Sequence, residues 1–140
     1  MKHGFKKYKF SHGQDSDQML IRKLLVNFLT NGKLESTITK LKALKPLVDR
    51  IVTKVKRGNT ADNNKLLQQF GNLKPLVNKF EAIKESLSKV NSGFVRIVRI
   101  GARKTDGALV ARLEWAYPVI SKDVKKSVAK ISEVKKEKKI

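Results

Sequence analysis

Residues 34–58 read LESTITKLKALKPLVDRIVTKVKRG, and this stretch constrains the chain more than any other. Ile38, Leu41, Leu44, Val48, Ile51 and Val55 recur at steps of three or four, which places them on one stripe of a helix with about 3.6 residues per turn. Lys40, Lys42, Lys45, Arg50, Lys54, Lys56 and Arg57 fill the other faces, with Asp49 as the only acid among them. The spacing predicts one long amphipathic helix with a core side and a side that seeks anions. Pro46 lacks an amide hydrogen and crowds the carbonyl of Lys42, so a kink or short break is expected there. Gly58 follows the last cations and ends the helix.

On either side the pattern supplies further elements. Residues 15–31 predict a first helix with a wide apolar face (Leu20, Ile21, Leu24, Leu25, Phe28 and Leu29), capped by Asp15, Ser16 or Asp17 and stopped by Asn31-Gly32. Residues 33–36 are long enough for a short strand, and Ser36 or Thr37 can cap the basic helix. Residues 60–70 predict a shorter helix on Leu66, Leu67 and Phe70, broken at Gly71-Asn72. Pro75 suits the first turn of a further helix, whose core stripe is Leu76, Val77, Phe80, Ile83, Leu87 and Val90, closed by Asn91-Ser92-Gly93. The pentapeptide LKPLV occurs at 44–48 and again at 73–77, but its flanks differ, so no internal repeat is inferred.

From Phe94 the period changes. FVRIVRI and ALVARLEW, separated by GARKTDG, read as a hairpin with a basic tip. Leu109, Ala111, Leu113 and Trp115 form an apolar face directed at the helices, alternating with Val110, Arg112 and Glu114. Arg96, Arg99, Arg103 and Lys104 are expected near the other side and the tip.

Charge decides the class of partner. The 140 residues carry a formal charge of +20, a field that attracts polyanions and repels copies of itself. Residues 1–12 hold +4, 13–32 hold 0, 33–58 hold +6, 59–93 hold +2, 94–118 hold +3 and 119–140 hold +5. Excess charge thus sits on surfaces and extensions, and near-neutral helices supply core. Residues 1–12, with Lys2, Lys6, Lys7 and Lys9 interleaved with Phe5, Tyr8 and Phe10, read as an arm whose lysines meet phosphates and whose aromatics stack on bases. Residues 119–140 read as a lysine-rich extension with a narrow helical stripe. Residues 13–118 form the one domain between them.

Several classes are excluded by the same reading. The chain has no cysteine, so a disulfide framework, a thiolate metal site and a cysteine nucleophile are all absent. The two histidines, His3 and His12, lie in the arm with no carboxylate placed to orient them, so no triad-type arrangement is proposed. Asp15 and Asp17 at a helix start read as caps rather than metal ligands. An enzyme, a cofactor, a metal and a small-molecule substrate are not expected. No apolar run reaches the roughly 20 residues a membrane span requires. Binding of anionic membrane surfaces and DNA compaction remain the alternatives to RNA binding, a DNA-binding architectural protein being the stronger of the two.

An ordered set of motifs resembles the bacterial-type large-subunit ribosomal protein numbered seventeen in that subunit. Met1-Lys2-His3 is similar to the family's Met-Arg-His opening, and Arg22-Lys23-Leu24 to its Arg-Asn-Leu helix segment. Residues 36–44, STITKLKAL, resemble Thr-Thr-x-x-Lys-Ala-Lys-Glu-Leu, and residues 52–58 its Leu-Ala-Lys-Arg-Gly ending. Gly93-Phe94-Val95-Arg96-Ile97 resembles Gly-Tyr-Thr-Arg-Ile, followed by Gly101, Arg103 and Asp106 in a basic turn and by Leu113-Glu114. The set spans residues 1 to about 117. His12, Ser16 and Asp17 depart from basic residues of the family, Pro46 replaces a commonly basic one, and residues 59–72 match poorly.

The resemblance implies an α+β fold of two layers, about four helices on a small three-stranded mixed sheet that the 33–36 strand completes. It implies a structural role in the large subunit, on its RNA near the peptide exit tunnel and beside neighbouring large-subunit ribosomal proteins, in bacterial cytoplasm or an organelle. Phosphate neutralisation gives salt-dependent, shape-level affinity. The expected RNA contacts are Lys2, His3, Lys6, Lys7, Lys9, Arg22, Lys40, Lys42, Arg50, Arg57, Arg96, Arg99, Arg103 and Lys104. Deleting residues 1–12 is expected to weaken assembly into ribosomes while lowering the melting temperature by less than about 10 °C, measured by thermal denaturation.

Overall fold

The computed structural model describes residues 8, 10, 13–70 and 74–119, and at 74, 75, 77 and 78 the backbone alone. The order is α1 (Gln14–Asn31), β1 (Lys33–Thr37), α2 (Ile38–Arg57), α3 (Thr60–Phe70), α4 (Lys74–Ser86), β2 (Val95–Ala102) and β3 (Leu109–Trp115). The tail over 119–140 lies outside the described residues beyond Val119, which packs against the core. So does the break at Gly71-Asn72.

α2 touches every other element. Leu41, Leu44, Val48 and Val52 are wholly buried along it, with Ile51, Val55 and Ala43 nearly so; each large aliphatic contributes about 1.5–3 kcal/mol by leaving water. The helix runs unbroken through Pro46. Pro46 is exposed, so the Lys42 carbonyl that loses its intrahelical partner lies on the side where water can satisfy it. Glycines in the left-handed region end two helices: Gly32 (φ 74°) closes α1 with its amide on the Phe28 carbonyl, and Gly58 (φ 66°) closes α2 on that of Lys54. The expected side-chain caps are not used. α1 starts at Gln14 after Gly13, and Asp17 Oδ2 instead accepts the Phe10 amide at 3.1 Å. Thr37 precedes α2 in extended conformation without a side-chain cap.

The strand order is β1-β3-β2. Both pairings are antiparallel, so the sheet is not the mixed one expected. β1 and β2 do run the same way, but β3 lies between them, so no parallel pair forms. On the inner face Leu34, Leu113, Ala111 and Val95 are buried beneath the helices, and Trp115 stacks obliquely on Phe28 at 4.8 Å between ring centres. Leu109 continues that face in register but is 58% exposed, because the hairpin outruns the helix layer.

The core therefore predicts its own sensitivities. Leu44→Ala should cost about 2–5 kcal/mol in urea unfolding followed by fluorescence of Trp115, whereas Leu67→Ala, on an exposed side chain, should cost well under about 1 kcal/mol.

Candidate nucleic-acid interface

Burial on α2 leaves a solvent arc in which Thr39, Lys42, Pro46, Arg50, Thr53 and Arg57 recur at helical spacing. Lys42, Lys45, Arg50 and Arg57 are exposed, and Lys40 and Lys54 are half-buried at its borders. Lys45 belongs to this arc although it was absent from the expected contacts; its spacing from Lys42 was the available signal. Lys56 does not belong. Its Nζ donates to the Val90 carbonyl and sits 5.5 Å over the Phe94 ring, so it ties α2 to the α4–β2 connection.

The direction of α2 relative to the sheet follows from two contacts. Thr37, immediately before α2, pairs with Val110, which in turn lies opposite Gly101 near the hairpin tip. Asp49 takes a hydrogen bond from the Phe94 amide at the other end of β2. The two paths agree, about 18 Å of helix at 1.5 Å per residue against about 23 Å of strand at 3.3 Å. The first half of α2, with Lys40, Lys42 and Lys45, therefore lies toward the tip end, as do Arg99, Arg103 and Lys104. Arg57 lies at the far end of the helix.

The remaining expected contacts are placed differently. Lys2, His3, Lys6, Lys7 and Lys9 lie outside the described residues. Arg22 is half-buried and its Nη2 donates at 2.7 Å to the carbonyl of Phe70, the last residue of α3; it joins α1 to the end of that helix. Arg96 sits at the opposite end of β2 from the tip, and its Nε meets Glu114 Oε1 at 2.7 Å. The expected cluster of Arg96 with Arg103 and Lys104 is thus divided. On the same outer face Arg112 Nη2 meets Glu35 Oε1 at 2.7 Å, and Lys33 stands opposite Glu114. This outer face of the sheet is largely self-neutralised. Arg103 Nε lies 3.5 Å from Asp106 Oδ1 with both side chains half exposed, a pair weak enough to leave the arginine available. Arg99 and Lys104 have no hydrogen bond or ion pair among the described residues.

Among the described residues no helix is long and apolar enough to cross a membrane, and no group of three or more His, Cys, Asp or Glu side chains is placed to hold a metal. What the arrangement offers is a row of exposed cations on a rigid helix and a basic hairpin tip at one end of it, a geometry suited to phosphates.

The profile of the family described as ribosomal protein L17 matches residues 20–116. The chain belongs to the ribosomal protein L17 family. The matched span runs from Leu20 within α1 to the end of β3, and takes in the α2 arc and the hairpin. Relatives include the large ribosomal subunit protein bL17 of Akkermansia muciniphila, 31% identical over 114 residues that make up 81% of this chain and 84% of the relative. The bL17 of Mesorhizobium japonicum is 30% identical over 82% of this chain and 80% of its own, and that of Clostridium acetobutylicum 32% identical over 76% and 93%.

Asp49 is the one acid on the cationic arc. Burial raises its carboxyl above the ordinary 3.8, opposed by the Phe94 amide and by Lys45, and its Oδ1 has no hydrogen-bond partner. A raised folded-state value means that stability from the retained proton is full below the unfolded value and is lost as pH rises through the folded one. Asp49→Asn should therefore raise the melting temperature relative to the native chain at about pH 7, with the difference narrowing at about pH 3, in thermal denaturation at both pH values.

Proposed function

We propose that this chain is a structural constituent of the large ribosomal subunit that binds and stabilises large-subunit ribosomal RNA near the peptide exit tunnel, beside other ribosomal proteins. The observation that carries the reading is the row of exposed cations along α2, leading toward the basic hairpin tip, in a chain of the ribosomal protein L17 family. The names of the relatives, each a large ribosomal subunit protein, support the choice of subunit. The reading carries no catalytic step.

In this reading Lys42, Lys45 and Arg50 straddle one RNA backbone while Arg99, Arg103 and Lys104 hold phosphates at the tip. Arg22, Arg57 and Arg96 serve at the margins, and the arm residues Lys2, His3, Lys6, Lys7 and Lys9 extend the contact from residues 1–12. Residues 13–118 act as the folded RNA-binding domain and 119–140 as an accessory extension. Each neutralised phosphate releases counterions, so affinity falls steeply with salt. A helix and a strand tip can reach phosphates and 2′-hydroxyls but not the narrow major groove of A-form RNA, so recognition is by shape.

Sedimentation of native lysate, with this chain quantified in each fraction by mass spectrometry, tests the assignment. Stoichiometric recovery with the large subunit is the expected result; recovery with nucleoid DNA would favour a DNA-binding architectural protein instead. At the level of residues, Arg103→Ala with Lys104→Ala should weaken binding to ribosomal RNA and flatten the slope of log affinity against log salt by about 1.4–1.8. An unchanged slope in that titration would turn the hairpin tip away from the RNA.

A further inference from the structure

Toward its tip the β2–β3 hairpin carries exposed aliphatics on both faces. Arg99 pairs with Ala111 and Gly101 with Val110, so Ile100 is the extra residue of a bulge. Ile100 and Gly101 together oppose Val110, which puts Ile100 on the outer face with Val98; the two are 53% and 41% exposed. Leu109 lies on the opposite face, paired with Ala102, and is 58% exposed. The bulge strengthens the local twist and so turns these side chains away from the body of the sheet.

Single exposed aliphatics need no explanation. A projecting element with aliphatics on both faces is different, since a surface laid against it covers only one of them. Its neighbours specify the partner. Arg99, Arg103 and Lys104 are exposed around it, and Asp106, the only acid in the loop, is occupied by Arg103 and by the Ala108 amide at 3.2 Å. The acids that neutralise the sheet, Glu35 and Glu114, pair with Arg112 and Arg96 farther from the tip. Charge at the tip thus asks for phosphates, and the aliphatics ask for something apolar between them. Riboses and base faces are the apolar parts of RNA.

We propose that the distal β2–β3 hairpin is an insertion wedge for RNA, with Ile100 and Leu109 packing against the sugars and base faces of two different RNA segments while Arg99, Arg103 and Lys104 bind the flanking phosphates. The proposal rests on the RNA-binding reading above and adds to it a desolvated contribution that salt does not screen.

The test uses the full chain and deproteinised large-subunit ribosomal RNA, titrated at several salt concentrations. Ile100→Ala with Leu109→Ala should leave the melting temperature in place, because both side chains are exposed. It should lower affinity by about tenfold to a hundredfold at every salt concentration while leaving the salt slope unchanged. Ile100→Lys adds a cation and should nevertheless weaken binding. Full affinity in the alanine pair, or a gain in the lysine variant, overturns the wedge. Native affinity for free RNA combined with loss from the large-subunit fraction also overturns it, and assigns the aliphatics to a protein neighbour. If the native chain itself shows no salt-dependent binding, the RNA reading fails along with the wedge; if it binds with a steep slope and the alanine pair matches it, only the wedge fails.

Discussion

Leu41, Leu44, Val48 and Val52 are removed from water on one side of α2 while Lys42, Lys45 and Arg50 stand in it on the other. Everything else in the molecule is arranged about that division. The sheet and the other three helices share one wall, the buried arc of α2, so each acquires its position by packing on the same 20-residue helix. Lysines on such a helix cannot drift independently, because the backbone that carries them is fixed by the aliphatics between them. A row of cations at fixed spacing loses less freedom on meeting a phosphate backbone than the same cations on a loose chain.

Cations in this protein do two kinds of work, and burial separates them. Lys56 and Arg22 are bound to main-chain carbonyls that helix ends and loops leave open, those of Val90 and Phe70. A charged donor satisfies such a carbonyl more strongly than a neutral one. Both residues join elements distant in sequence, α2 to the approach to β2 and α1 to the end of α3. The cations of the α2 arc make no comparable bond among the described residues. Composition alone treats all of these as equivalent basic residues.

Where the sequence was legible, periodicity made it so. The α2 stripe, the extent of α3 and the change of period at Phe94 all follow from side-chain spacing, and Gly32 and Gly58 end helices because they adopt a left-handed backbone cheaply. The failures share another cause, since each depends on where an element stops being covered. Leu109 keeps the inner-face register yet lies beyond the helices, and nothing in the alternation marks that edge. The Leu-Lys-Pro-Leu-Val pentapeptide makes the same point: Pro46 sits in mid-helix on a wet face while Pro75 falls in the first turn of α4. Lys56 was read as solvent-facing from helical phase and Arg22 as an RNA contact, but their partners lie 34 and 48 residues away. No local pattern carries that information.

Net charge also does not say where a polyanion lies; pairing does. Arg96 and Arg112 each have a carboxylate oxygen at 2.7 Å, so at distances near the Debye length of about 8–10 Å each acts as a small dipole rather than as a charge. Lys42, Arg50, Arg99 and Lys104 have no such partner among the described residues. In the proposed RNA-binding reading the outer face of the sheet therefore contributes little at long range, and the α2 arc and the hairpin tip dominate the approach. In that reading orientation is set before contact by the exposed cations of the arc and the tip. In the proposed wedge the aliphatics at the tip act only at contact, once the cations have brought the hairpin to the RNA in the right sense.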